Sequence, residues 1–505
     1  MQCFLIICYI YLLKINKLIK KYYKIIKILK RGKGILELLA KYISSINNIL
    51  WSYVLIALLI LMGLYFTIKS EFVQIRYFKE MFKLLGEGAS KSMSSNKEEH
   101  HGVSSFQAFC ISTASRVGTG NLAGVAIAIS TGGPGAVFWM WIIALIGAGS
   151  SFVESTLAQV YKTRDKHGFR GGPAYYMEKG LNKRKLGIVF SILITVSFGL
   201  IFNSVQANTI SLAFEEAFGI KRIVFGVILV SVTALIIFGG IKRIAKVVEV
   251  IVPVMAIAYI LVALFVITKN ITHVPAMFKI IFENAFGIRQ VTGGTLGAAV
   301  LMGIKRGLFS NEAGMGSAPN AAATAGVTHP AKQGLIQTLG VFTDTLLICS
   351  CTAFIVLISG AYTDKNLEGI KLTQNALSSQ IGHWGNTFIA LCILLFAFSS
   401  IVGNYYYGES NIEFLKGSRK WLAAYRISVL GMVLFGSVAK IQIVWDLADL
   451  FMGSMAIINL IAIWKLSPLA FKVLKDYTRQ KKEGKDPVFK ASHIEGLVNA
   501  ECWED

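Results

Sequence analysis

The sequence predicts an all-α membrane protein of about eleven transmembrane helices, because its apolar residues come in runs long enough to cross a bilayer. Two further observations agree: charge is scarce, and two of the apolar segments are interrupted at corresponding places. Of 505 residues, 54% are hydrophobic and 16% charged, against roughly 25% charged in soluble domains. Mean hydropathy is +0.59. An ordinary soluble enzyme is excluded.

The runs at 49–68, 222–240 and 250–268 are the clearest spans. Others are expected at 106–131, 135–161, 187–212, 294–325, 334–361, 386–408, 421–438 and 444–464. Segment 275–290 is too short and polar to span and is expected at the membrane interface. Lys and Arg in alternate loops number 28 on one side and 9 on the other. The basic side is expected in the cytoplasm, which gives an outside N-terminus, a cytoplasmic C-terminus and a multi-pass protein of the cell membrane. The loop 69–104 and the tail 465–505 are expected to be solvated.

The net charge of +23 is read as loop lysines orienting helices, not as a nucleic-acid surface. Seven cysteines include no CxxC pair, so neither a disulfide framework nor a metal centre is indicated. No Walker, HExxH or GxSxG motif is present, so no enzymatic site and no organic cofactor are expected.

Residues 1–35 form a basic extension with nine Lys or Arg before Ile35. An amphipathic surface helix and a signal-like segment are alternatives, although no small-residue cleavage site follows. We expect a mis-assigned start, because Arg31-Gly32-Lys33-Gly34 can be encoded by a purine-only, ribosome-binding-like run and Leu36 by TTG. The transporter-like domain is then 36–464.

The second span carries Gly118-Thr119-Gly120-Asn121 about twelve residues in, roughly 18 Å deep at 1.5 Å per residue. The seventh carries Ser310-Asn311-Glu312-Ala313-Gly314-Met315-Gly316. Broken backbone at that depth is tolerated only around an enclosed or wet site. Five helices separate the breaks, which suggests two five-helix repeats of opposite topology, about 106–268 and 294–464. Paired breaks are the sequence pointer to a transporter's binding site.

The chemistry suits an amino acid. Amides at Thr119 and Gly120 can hold a carboxylate. Carbonyls at Ala114 and Val117, freed where the first half-helix ends, can coordinate Na⁺. Asn121 offers a side-chain oxygen to ion or substrate. Asn311 and the Gly314–Gly316 backbone can take the ammonium or the carboxylate.

The stretches SRVGTGNLAGVAIA (115–128), GGPGAVFWMW (132–141), GGPAYYMEKGL (171–181), KRGLFSNEAGMGSAP (305–319) and VGNYYYGE (402–409) resemble the alanine or glycine:cation symporters, also called sodium:alanine symporters. The resemblance runs from about residue 36 to the C-terminus. It implies a LeuT-type 5+5 inverted repeat with one extra N-terminal helix. It implies substrate carboxylate on Thr119 and Gly120 beside Gly118, and sodium on Ala114 and Val117. It adds Ser399 and Ser400 as hydroxyl ligands to sodium, and Gln206 as a substrate contact. The expected activity is uptake of a small neutral amino acid, alanine or glycine, coupled to Na⁺, in contact with membrane lipid.

Asn404 departs from the pattern, standing where some relatives carry tryptophan; a smaller polar side chain would admit a longer substrate such as glutamine. Arg116 is costly in a span unless paired, and Glu154 or Glu312 is its expected partner. Asp344 is an ion ligand, a proton site or a packing hydrogen bond. Lys305 and Arg306 are expected at the cytoplasmic mouth, and Tyr405–Tyr407 in packing. Proton coupling through Asp344 or Glu312 is the alternative mechanism, and a passive channel the alternative of another class.

Overall fold

The computed structural model describes residues 42–93, 103–165, 168–287 and 296–504. The chain divides after Ile49 into two compact units. Of the first, residues 42–49 are described and are helical. The extension 1–35 and the start expected near Leu36 lie outside the described residues.

Among the described residues, the regular structure of the second unit is helical apart from one small antiparallel hairpin, β1 (Thr163–Asp165) and β2 (Gly168–Arg170), with Thr163 opposite Arg170, and one parallel bridge between Val103 and Ala325. Its helices are α1 (Leu55–Lys69), α2 (Phe78–Met93), α3 (Ser105–Arg116), α4 (Val125–Gly132), α5 (Ala136–Val160) and α6 (Pro173–Lys179). There follow α7 (Arg184–Phe218), α8 (Arg222–Ile237), α9 (Gly240–Lys269), α10 (Val274–Ala285), α11 (Leu296–Asn311) and α12 (Ala318–Ala322). The last are α13 (Pro330–Ser359), α14 (Ile370–Ile381), α15 (Trp384–Lys416), α16 (Arg419–Val438) and α17 (Ile441–Lys482). Among the described residues eight helices are long and apolar enough to cross a membrane.

Local chemistry explains several boundaries. Ser104 caps α3: its hydroxyl accepts from the Gln107 amide, and the Gln107 side chain accepts from the Ser104 amide, both at 3.1 Å. Pro330 opens α13 at a position where a missing N–H costs nothing. Burial then sorts the helices. The most apolar window of α15 is 72% buried, whereas that of α9 is 28% buried, so α15 lies inside the bundle and α9 on its rim. Val250, Val254, Ile257, Leu261 and Phe265 form the exposed apolar stripe of α9 at helical spacing.

Three segments depart from the sequence reading. Residues 241–249 read as a basic loop but belong to α9, which also carries Pro253 in its interior. Parts of the loops at 69–104 and 362–385 fold as α2 and α14. The tail read as solvated is not: α17 continues to Lys482, and Phe489, Ile494 and Ala500 beyond it are buried. Its apolar residues are too sparse to show a period, but each finds a partner. The Trp503 indole donates to the Gln159 carbonyl at 2.9 Å, and the Phe489 amide donates to the Thr328 carbonyl at 2.9 Å.

Candidate functional site

The first interrupted helix leaves α-geometry at Val117 (φ −80°, ψ 95°) and restarts as a π-helical turn, Gly120–Gly124, leading into α4. The Gly118 amide is capped by Asn121 Oδ1 at 2.8 Å. The two carbonyls at the end of α3 face α15. Ser400 Oγ donates to the Ala114 oxygen at 2.7 Å, with Val117 O at 3.4 Å and Phe396 O of its own helix at 3.0 Å. Ser399 Oγ turns instead to Phe396 O, at 2.8 Å. Gln206 Oε1 accepts from both the Thr119 amide (3.0 Å) and the Thr119 hydroxyl (2.7 Å). A Cβ at Gly118 would collide with Ser400 Oγ and crowd Gln206 Oε1, so a side chain here would displace the hydroxyl and the amide oxygen that meet at this crossing of α3, α7 and α15.

The second break follows α11. Glu312, Gly314 and Gly316 all have positive φ (56°, 79° and 83°), a conformation glycine adopts freely and glutamate at a cost. Glu312 is held there by two hydroxyls: Ser115 donates to Oε1 at 2.9 Å and Ser317 to Oε2 at 2.6 Å. The Gly314 and Gly316 amides, read as open to a ligand, are occupied. They donate to Glu154 Oε1 and Oε2 of α5, each at 3.1 Å, and Asn459 Nδ2 adds a bond to Oε2 at 2.8 Å. Asn311 Oδ1 accepts from the Ala313 amide at 3.0 Å, while its buried Nδ2 has no partner.

The two breaks touch. A Cβ on Gly120 would lie 3.1 Å from Phe309 Cδ1 and 3.2 Å from Ser310 Cα. Asp344, in the π-helical part of α13 (Phe342–Cys349), joins them. Its Oδ1 accepts from Asn121 Nδ2 at 2.6 Å, and its Oδ2 from Ser310 and Thr345 hydroxyls at 2.7 and 2.8 Å. Asn404 lies beside the second break: its Oδ1 is 2.6 Å from Ser115 Oγ, whose single proton is shared between this oxygen and Glu312 Oε1, and its Nδ2 is buried without a partner. Tyr405, by contrast, packs on Tyr425 with stacked rings 5.5 Å apart.

Two charge expectations are corrected. Arg116 pairs with neither Glu154 nor Glu312. Its guanidinium donates to the Gln337 carbonyl at 3.1 Å and to Ser151 Oγ at 3.4 Å, because both glutamates are already engaged by the second break. Lys305 and Arg306 do not face the basic loops. Both pair with Asp449 of α17, at 2.6 and 2.7 Å, and they share a cavity wall with Thr131, Glu368 and Ile441, next to the basic-poor loops.

Glu154, Asn459, Ser115 and Ser310 are central here and were missing from the site read in the sequence. Each carried a signal: Ser115 and Ser310 stand in the quoted stretches around the breaks, Glu154 is a carboxylate inside a span, and Asn459 is an amide in the apolar run AIINLIAIW.

The arrangement is two broken helices face to face, with helix-end carbonyls bonded by a serine hydroxyl, and two unpartnered amide donors beside them. Comparison with known proteins places it. The model of the sodium:alanine symporter family matches residues 36–491. A probable sodium/glutamine symporter of Bacillus subtilis is 60% identical over 92% of this chain and 96% of its own length. An amino-acid carrier protein of the same organism is 61% identical over 91% of this chain and 96% of its own. Among solved structures, a manganese transporter of Eremococcus coleocola aligns over 75% of this chain and 81% of its own, with 15% identity and a TM-score of 0.46, too distant to decide how the helices are arranged. Matched along nearly its whole length by the family model and by relatives that are transporters rather than enzymes, the chain belongs to the sodium:alanine symporter family.

Proposed function

We propose that this transporter imports a small neutral amino acid across the cell membrane together with Na⁺, by alternating access between two five-helix repeats. The observation that carries the proposal is the convergence of Ala114 O, Val117 O and Ser400 Oγ at the first break. An all-oxygen set of neutral ligands suits a hard monovalent cation. The same hydroxyl now bonds the carbonyl that the ion would use, so binding exchanges a hydrogen bond for a cation contact. Ser399 joins only by turning its hydroxyl from Phe396 O.

The substrate lies between the breaks. Its carboxylate goes to the amides of Thr119 and Gly120 once Gln206 releases Thr119, with Asn121 and Gly118 shaping the turn. The second break contributes Asn311, and Gly314 and Gly316 act through Glu154 rather than by direct contact. Asn404 Nδ2 and Asn311 Nδ2, buried and without partners, suit a carbonyl acceptor on the substrate. Glutamine supplies one in its side chain and alanine does not. With the relative named for glutamine, this ranks glutamine first. Alanine and glycine are the second reading, favoured by the family's description. Asp344, bonded to both breaks, is where a second cation or a proton would be held.

The test is uptake of radiolabelled glutamine and alanine into proteoliposomes under an inward Na⁺ gradient, against a matched choline gradient. Accumulation only with Na⁺, with trans-stimulation, is expected. Equal uptake in choline moves coupling to Asp344 or Glu312, and non-saturating flux without trans-stimulation indicates a channel.

A further inference from the structure

Beyond Lys482 the chain turns back as a strap over the ends of α5, α6 and α12. All of these ends lie in loops that the Lys and Arg count puts on the basic side. The Thr328 hydroxyl donates to the Pro487 carbonyl at 3.0 Å, beside the Phe489–Thr328 backbone bond. Lys332 pairs with Asp486 at 2.5 Å and Lys179 with Glu501 at 2.8 Å. The Cys502 thiol donates to the Lys162 carbonyl at 3.3 Å, next to the Trp503–Gln159 bond. The Ala491 amide donates to the Trp503 carbonyl at 3.0 Å and closes the strap on itself.

The strap lies over a junction of the two broken helices. Val103, just before the cap of α3, forms the parallel bridge with Ala325, just past α12. Its amide donates to Thr324 O at 3.3 Å, and its carbonyl accepts from the Gly326 amide at 3.0 Å. The end of α5 holds the same segment. Gln159 Nε2 donates to the Ala322 and Ala325 carbonyls, and Lys162 Nζ donates to Ala325 O at 3.0 Å and to Gln159 Oε1 at 2.8 Å. Lys162 is only 2% exposed. Its ammonium lies 4.1 Å from the Phe169 ring and 4.7 Å from the Trp503 ring, so the tail supplies one of the two aromatic faces that steady this buried charge. Residues 322–328 thus bond to the start of α3, to α5 and to the tail at once.

From this we infer that residues 486–504 are a latch, which holds the start of α3 and the end of α12 together and must let go each time the transporter opens on this side. The inference rests on the alternating-access reading above and adds the element that controls one of the two openings. Separating α3 from α12 breaks the Val103–Ala325 bridge. While the strap grips Thr328, Gln159 and Lys162, that segment moves only with the strap, so the packed and released arrangements are two discrete states.

The experiment uses the full chain in proteoliposomes and follows modification of Cys110 by N-ethylmaleimide, read by mass spectrometry. Cys110 is buried in α3 and is no part of the strap. In Trp503→Ala its labelling is expected to run at least fivefold faster than in the wild type. A carbodiimide, which condenses an ion-paired amine and carboxylate into an amide with loss of water to the reagent, is expected to join Lys179 to Glu501. The joined chain should label at Cys110 and take up amino acid at least fivefold more slowly. Glu501→Gln removes both the link and its effect. The link needs no destabilising substitution, so it decides the matter even if Trp503→Ala fails to fold. Undiminished uptake by chains shown to carry the 179–501 link overturns the latch, whatever Trp503→Ala does. Absence of uptake by the unlinked wild type overturns the carrier reading instead, and Cys110 labelling, which needs no transport, then decides the latch: equal rates with and without the link overturn it.

Discussion

Ser400 Oγ of α15 sits 2.7 Å from the carbonyl oxygen of Ala114, across the point where the first interrupted helix ends. Its neighbour Ser399 bonds only to its own helix. Adjacent residues on a helix point about 100° apart, so one hydroxyl faces the break while the other does not. Ser400→Ala is therefore expected to raise the half-saturating Na⁺ concentration for uptake by about tenfold, the equivalent of ~1.4 kcal/mol, a typical hydrogen-bond or ligand loss. Ser399→Ala should stay within about twofold on the same scale. Sodium titration of initial uptake rates separates them, and equal effects would mean that both serines reach the ion.

Glu154 holds the second break together. Each of its oxygens accepts from a glycine amide, and Asn459 completes the set. Glu154→Gln keeps the shape but turns an acceptor into a donor facing a buried amide. At about 1–3 kcal/mol for each buried group left unmet, thermal unfolding in detergent should move down by several degrees. Uptake should fall at least tenfold in protein that still reaches the membrane. A variant with wild-type unfolding temperature and uptake would remove Glu154 from this role.

Asn404 is the place to look for substrate choice. Its buried Nδ2 lacks a partner, and Asn404→Leu keeps the branched shape, in a larger side chain, while deleting that donor and the Oδ1 acceptor. Glutamine should lose at least tenfold in apparent affinity relative to alanine, as expected when a polar contact is removed from a buried site. Competition of each unlabelled amino acid against labelled alanine reads this ratio. An unchanged ratio would assign Asn404 to packing through Ser115.

Acid should loosen the N-terminal end of α13. Burial holds the His329 ring below its ordinary pKa of 6.5; Asp476 opposes this shift, and Lys332 and His493 add to it. The neutral ring fits the geometry, since Nδ1 accepts from the Ala331 amide at 3.1 Å and Nε2 faces Asp476 Oδ2 at 3.3 Å. Below pH 6.5 the unfolded chain takes up a proton that the native ring refuses, so stability falls until the native ring also titrates. The cap is worth about 1 kcal/mol. Unfolding temperatures between pH 7.5 and pH 5 should therefore slope downward in the wild type and less steeply in His329→Asn, which caps without titrating. Parallel slopes would place the acid sensitivity elsewhere.

The sequence by itself determined the class, the two breaks and the family. Each of these is local. An apolar run long enough to cross a bilayer needs no partner to be recognised, and glycines beside polar residues inside such a run mark where the backbone leaves the helix. The resemblance motifs lie in and around the breaks, so Gly118, Thr119, Asn121, Gln206 and Ser400 could be named in advance. What these groups bond to was decided only by the fold. The Gly314 and Gly316 amides meet Glu154, a residue 160 positions away. Arg116 finds a backbone carbonyl of α13 instead of either glutamate, and the tail folds back through Phe489 and Trp503 instead of entering solvent. Lys305 and Arg306 meet Asp449 at the end opposite to the one expected. Spacing along the chain records which groups need a partner. Which partner arrives depends on how the helices cross, and buried charge and hydrogen-bond geometry are satisfied at those crossings.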